Sequence, residues 1–369
     1  MNAPITDSPI RFRADHLDLL RRLIATPSFS KTEDRTADIL AEFLNARGVS
    51  VQRLGNNVWA TNRHFSPQKP TLLLNSHHDT VRPNKGYTRD PHHAAVEAGK
   101  LYGLGSNDAG GALICLLQTF LHFYEQSLPW NLVFAASAEE EIGGPNGMAR
   151  LFDELPPITC AIVGEPTQMR LATAERGLLV VDGYVRGTGG HAAHPNSDSA
   201  LMNALPVLER LHDFPFPEVS PKLGAIKVTV TGVETNLQHN VVPSECHFVL
   251  DVRTTDALSN EATLERLQQT VPEVELKARS FRNQASALPD GHFLEDVATQ
   301  LGLETYASPT LSDQVFVPVP SVKIGPGKSA RSHRADEFIE LAELDAGVVG
   351  YAALIAAILQ QPVASPPST

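Results

Sequence analysis

The histidines and acidic residues of this chain collect at the ends of its apolar runs. His77 and Asp79 follow the run 71–75 directly. Glu139, Glu140 and Glu141 follow the run 131–136, and Glu165 follows 160–163. His333 lies in a loop beyond 321–324, and Asp108 precedes a helical stretch in Gly103-Leu104-Gly105-Ser106-Asn107-Asp108-Ala109-Gly110-Gly111. Each feature alone has an ordinary reading: Asp108 as a helix cap, Glu165 before Pro166 as a turn residue, three glutamates as a solvated helix start. The glutamates, however, lie between a strand-like run and Ile142-Gly143-Gly144, which is the composition of a functional loop. Taken together, two imidazoles and three carboxylates suit zinc or a similar divalent ion. A carboxylate beyond that set can act as general base, and paired ions lower the pKa of a shared water towards about 7 while polarising a carbonyl.

Such residues meet only if the fold gathers them, and open α/β sheets bind ligands at the carboxyl ends of their strands. Apolar spacing predicts helices over 15–24, 32–47 (stopped by Gly48) and 110–126. Continuous apolar strands at 71–75, 131–136, 160–163 and 321–324 predict a sheet buried on both faces. The middle of the chain changes character. Strands are expected at 178–185, 225–233, 246–253 and 274–278, with helices at 199–211 and 260–271. That βαββαβ order is of the ferredoxin-like kind. The expected organisation is a catalytic domain in two parts, 1–176 and 285–369, with 177–284 inserted between them.

Composition bounds the rest. The chain has 369 residues, 42% hydrophobic and 20% charged, as expected of a globular protein with a large core. A net charge of -12 argues against nucleic acid as a partner. Cys115, Cys160 and Cys246 form no CxxC pair, so neither disulfides nor a thiolate metal site is expected, and a reducing cytoplasm fits. Residues 1–10 lack a signal-peptide pattern, and no apolar run approaches about 18 residues, so no membrane span is expected. The Pro/Ser-rich tail after Gln361 reads as disordered. Gly103-Leu104-Gly105 lacks the further glycines of a dinucleotide fingerprint and the lysine of a phosphate-binding loop.

The ordered set Ser76-His77-His78-Asp79, Gly105-Ser106-Asn107-Asp108, Glu139-Glu140-Glu141-Ile142-Gly143-Gly144, Val163-Gly164-Glu165-Pro166-Thr167 and Ser332-His333-Arg334-Ala335-Asp336-Glu337 resembles the acetylornithine deacetylase, succinyl-diaminopimelate desuccinylase and carboxypeptidase G family of co-catalytic zinc hydrolases. The resemblance covers nearly the whole chain. It implies an α/β zinc exopeptidase-like fold: a central mixed sheet flanked by helices, with the inserted unit as lid and dimerisation domain. It implies two divalent ions, zinc foremost, with cobalt or manganese as alternatives. His77 and Glu165 would hold one ion, Glu141 and His333 the other, and Asp108 would bridge them. Asp79 would orient His77, and Glu140 would be the general base. His191, in Gly187-Thr188-Gly189-Gly190-His191-Ala192-Ala193-His194-Pro195, would reach the active site of a partner subunit in a homodimer and stabilise the oxyanion. Asn240 and Arg253 would bind the substrate carboxylate, with Arg176, Gly325 and Gly327 as further contacts. The implied substrate is a small N-acyl amino acid. N-acetyl-L-ornithine in arginine biosynthesis comes first; N-acetylcitrulline, an N-succinyl amino acid or a dipeptide are the alternatives. Leu104-Gly105 and Ala109-Gly110-Gly111 stand where the family often has Arg-Gly and Met-Lys-Gly-Gly, and Glu175-Arg176-Gly177 where it has His-Lys/Arg-Gly. These departures spare the metal ligands and fall on the substrate contacts.

Overall fold

The computed structural model describes residues 10–195 and 198–362. Residues 1–9 and most of the expected Pro/Ser tail lie outside them. The chain divides into two compact units: residues 1–173, 288–306 and 312–369 form the first, and 174–287 with 307–311 the second.

In the first unit four parallel strands stand side by side in the order Asn131–Ser137, Thr71–His77, Cys160–Gly164 and Ser321–Ile324. Asn57–Thr61 pairs antiparallel with the first of these, and Gln52–Leu54 pairs outside it, so the sheet is mixed. The four parallel strands are buried throughout. Their alternation decides which face each side chain serves. Leu72, Leu74, Leu132, Phe134 and Ile162 join the core of helices Ala14–Ile24, Gly111–Phe123 and Leu341–Leu359. Leu73, Val133, Ala135 and Ala161 pack on the opposite face with Met148, Leu151 and Leu155. Register aligns His77 with Ser137 and Asn75 with Val163. The carboxyl ends of the strands therefore share one edge, and the strand expected over 71–75 extends two residues further, so that His77 is its last residue.

Helices Leu341–Leu359 and Phe293–Gln300 and strand Asn57–Thr61 were not expected from the sequence. The helix 341–359 is rich in alanine, valine and leucine on every side, so it shows no amphipathic stripe. It is long and apolar enough to cross a membrane, which corrects the expectation that no such segment exists. Leu344, Val348, Tyr351, Leu354, Ile355 and Ile358 are buried in the first unit's core. Each side chain so buried contributes roughly 1.5–3 kcal/mol, which explains a core helix without a bilayer.

The second unit is an antiparallel sheet in the order Lys227–Glu234, Glu245–Thr254, Gly177–Arg186 and Glu275–Ala278. Helices Ala200–Leu211 and Asn260–Thr270 complete the βαββαβ order. Strict alternation along Gly177–Arg186 and Glu245–Thr254 sends Leu179, Val181, Phe248, Leu250 and Val252 into one apolar cluster with Val207, Leu211 and Leu267.

Candidate metal centre

The edge where the parallel strands end carries six of the expected side chains. His77 is 1% exposed. Its Nδ1 lies 3.0 Å from the carbonyl oxygen of Asp79, so Nδ1 donates there and Nε2 is the ring nitrogen left for another partner. That Nε2 is buried without a hydrogen-bond partner. It lies 3.5 Å from Asp108 Oδ1, 3.7 Å from Glu165 Oε1 and 3.8 Å from Glu140 Oε2. A second group adjoins the first: His333 Nε2 is 2.9 Å from Glu141 Oε2 and 3.6 Å from Asp108 Oδ2. Asp108 thus offers one oxygen to each histidine.

These spacings bear on whether ions fit. Donors bound at about 2.0–2.1 Å around a tetrahedral ion lie roughly 3.3–3.5 Å apart. Distances of 3.5–3.7 Å from an orphaned imidazole nitrogen to Asp108 and Glu165 are too long for hydrogen bonds and close to that edge length. Two groups of side chains lie close enough to surround an ion, His77-Glu140-Glu165 and His77-Asp108-Glu141; both contain His77, and His333 adds a second imidazole beside Glu141 and Asp108. The donor set therefore fits a pair of divalent ions.

The electrostatics point the same way. Burial pushes Glu165 up to about 8, with the His77 and Lys323 charges opposing and Asp108 and Glu141 adding to the rise. Burial also raises Glu140 well above the usual carboxylate range; His77 opposes this, and Glu165, Asp313 and Glu141 reinforce it. For His77, burial disfavours the charged ring, but Glu140, Asp108, Asp79 and Glu165 outweigh it and hold its pKa well above the ordinary value. The hydrogen bond to Glu141 lifts His333 to about 9. Burial works against the Asp108 carboxylate, yet His77, Ser332 and His333 keep its pKa low. Crowded carboxylates that hold protons for want of counter-charge are what a cation site looks like without its cation.

Local structure explains how each side chain is presented. Gly105 has φ +78, a left-handed conformation that starts the tight turn carrying Asp108. The amides of Gly105, Asn107 and Asp108 donate to the buried Glu337 carboxylate at 3.2, 2.8 and 2.9 Å. Asn107 bonds both ways with the backbone of Lys328. After the second strand, Glu139 adopts φ 55 and its carboxylate accepts from the Asn146 amide and side chain. Glu139 is thereby committed to the turn, which leaves Glu140 and Glu141 to the cluster. The three amides of this turn are also held by carboxylates: Glu139 N by Glu33 at 3.0 Å, Glu140 N and Glu141 N by Asp79 at 3.0 and 3.3 Å.

Asp79 was expected to orient His77 through its side chain. Its carboxylate oxygen is 3.5 Å from Nδ1, farther than its own main-chain carbonyl. Its closer bonds go to Ser30 Oγ and the two glutamate amides. The Asp79 carboxylate thus anchors the glutamate turn, while its backbone fixes the imidazole.

Glu33, Asp313, Lys323 and Glu337, all at most 2% exposed, surround the centre and were not singled out from sequence. Burial raises Asp313 and Glu33 to about 7 and Glu337 to about 8. Only Lys323 left a trace, as a charge inside the apolar strand Ser321–Ile324. The others sit in loops or at helix starts, where an acidic residue is unremarkable.

The expected substrate contacts look different. Gly325 N donates to Thr167 Oγ1 at 3.0 Å, so that amide is committed within the fold. Gly327, at φ +88, lies against Asn107, and its carbonyl accepts from Gln168 N. In the second unit, Arg253 forms a two-pronged ion pair with Asp251 at 2.8 and 3.0 Å. The Arg176 guanidinium donates to the carbonyls of Leu223, Ala225 and Arg253. Asn240 is exposed, and its carbonyl accepts from Ala192 N. His191 is exposed on a two-residue strand paired with Val241–Val242, and its Nδ1 accepts from Ala193 N.

A histidine-carboxylate cluster of this kind, at the carboxyl edge of a mixed α/β sheet, defines a metallohydrolase. The sequence profile of peptidase family M20/M25/M40 matches residues 73–357, and the chain belongs to that family. It is 29% identical to a "probable carboxypeptidase" of Aspergillus terreus, over 96% of this chain and 88% of that protein. It is 26% identical to an acetylornithine deacetylase of Shigella sonnei, over 88% of this chain and 92% of that one. Its fold matches the crystal structure of an M20 family metallo-carboxypeptidase from Sulfolobus solfataricus with a TM-score of 0.78 at 17% identity, covering 94% of this chain and 100% of the other.

Proposed function

We propose that the chain hydrolyses the amide bond joining an acyl group to the nitrogen of an amino acid whose α-carboxylate is free. The C-terminal bond of a short peptide and the amide of an N-acyl amino acid share this group, so one centre serves both. The observation that carries the reading is Asp108, with one carboxylate oxygen towards each histidine and Glu140 beside them. Two divalent ions, zinc foremost, held by His77, Glu165, Asp108, Glu141 and His333, would polarise the scissile carbonyl and acidify water. Glu140 accepts a proton from the attacking water as its oxygen bonds to the carbonyl carbon. The C–N bond then breaks, and Glu140 returns the proton to the departing nitrogen, giving a carboxylate and an amine. Burial suits Glu140 to this exchange, since it holds the carboxyl well above the usual carboxylate range and so strengthens it as a base.

The carboxypeptidase and peptidase relatives favour a short peptide as substrate. The narrower reading, N-acetyl-L-ornithine or a related N-acetyl or N-succinyl amino acid, is supported by the Shigella relative. Assignment to arginine biosynthesis has no further support. A homodimer through the second unit fits its exposed edge strand Lys227–Glu234 and the exposed Val233, Met202 and Leu205, and it would let His191 act in trans. Three buried free thiols are in keeping with a cytoplasmic setting. The experiment is a panel of dipeptides, N-acetylornithine, N-acetylcitrulline and N-succinyl amino acids, ranked by kcat/KM with and without chelator. Metal-dependent cleavage of at least one of these amides is expected; no cleavage of any by metal-loaded protein overturns the reading.

A further inference from the structure

Glu337 is 2% exposed, yet it carries a carboxylate four residues beyond His333 and far in sequence from Asp108. Three backbone amides converge on it. Oε1 accepts from Asn107 N and Asp108 N at 2.8 and 2.9 Å, and Oε2 accepts from Gly105 N at 3.2 Å. The bonds fall on the turn whose only acidic side chain is Asp108. Gly103 N also donates to the Glu337 carbonyl at 2.9 Å, so backbone and side chain of one residue grip the same turn. The segment that supplies His333 is tied in as well: Asn84 donates to the His333 carbonyl, and Thr88 and Arg89 amides donate to Asp336.

A buried carboxyl group is costly unless its oxygens are satisfied by donors. A burial of this cost, spent on three amides of one turn, fixes the backbone position from which Asp108 reaches both histidines. We propose that Glu337 is the positioning residue for Asp108: it sets the spacing between the His77 and His333 halves of the centre without touching an ion or substrate. The inference rests on the reading of Asp108 as the shared ligand.

Glu337→Gln keeps the size of the side chain but offers only one acceptor oxygen, so at least one of the three amides loses its partner and faces an NH2 group instead. Changes to groups behind metal ligands typically cost 10–100-fold in metal affinity. The test is calorimetric zinc and manganese titration of the metal-free wild type, Glu337→Gln and Glu343→Gln. The last is a control that disturbs the cap of helix Leu341–Leu359 and its bond to Arg331 but no amide of the Asp108 turn. Expected are two ions in the wild type, affinity weakened 10–100-fold in Glu337→Gln with kcat falling and KM held, and wild-type affinity in the control even where its Tm is lower. Wild-type affinity in a folded Glu337→Gln protein overturns the proposal and leaves the metal centre standing. A wild type that binds no ions overturns both.

Discussion

Loading the metal centre should release protons. His333 is lifted to about 9 by its bond to Glu141, Glu165 to about 8 by burial, and His77 well above its ordinary value by the surrounding carboxylates. All three shifts are upward, so near pH 7 the metal-free groups hold protons that an incoming cation must displace. A group at about 9 is roughly 99% protonated at pH 7, and one at about 8 roughly 90%. At least about two protons should therefore leave per loaded centre. Affinity should rise at least about 100-fold per pH unit around pH 7 and less steeply as pH passes about 9, each proton contributing about 1.4 kcal/mol per unit. The assay is calorimetry in two buffers of different ionisation enthalpy, with chelator competition from pH 6 to 8. His333→Gln should remove about one proton from the count. Binding without proton release, or affinity that does not change with pH, would refute the assigned ligands.

Further outcomes follow from the same geometry. Glu140→Gln should lower kcat by about 10²–10⁴ while metal stoichiometry, read by elemental analysis, stays at the wild-type value. Glu33 is fully buried, its Oε2 has no hydrogen-bond partner, and its pKa rises from 4.5 to about 7. A raised carboxyl contributes stability that is present below about 4.5 and lost as pH climbs through about 7, so Glu33→Gln should stabilise the metal-free protein at pH 8 by up to about 3 kcal/mol. It should change little at pH 4, as urea melts at the two pH values would reveal. His191→Ala should reduce kcat by about 10²–10³ if that side chain supplies an oxyanion donor from a second copy; an unchanged kcat rejects the role.

The strands that present the cluster were legible because a buried parallel strand writes itself as an uninterrupted apolar run, and polar residues at its end stand out. His77, Glu139 to Glu141 and Glu165 all follow from that signal. The ferredoxin-like unit was equally plain, since one solvated face forces strict alternation along strands such as Gly177–Arg186. Helix Leu341–Leu359 was missed because its exposed face, with Ala342, Ala346, Val349 and Ala353, is nearly as apolar as its buried one, so no stripe shows. The supporting carboxylates Glu33, Asp313 and Glu337 were missed for another reason. Their significance lies in which distant amides they accept, and nothing in local sequence records a bond from residue 337 to residue 108. Asp79 shows the same limit: its position implied a partner for His77, while its carboxylate is spent mainly on the amides of Glu140 and Glu141.

The central claim is that Asp108 joins two cation sites. Crystals soaked in manganese or zinc and measured at the metal edge would test it by anomalous difference density. Two peaks are predicted, one against His77 and Glu165 and the other against Glu141 and His333, each in contact with a different oxygen of Asp108. Density that leaves Asp108 untouched, or no density at this edge of the sheet, would contradict the account.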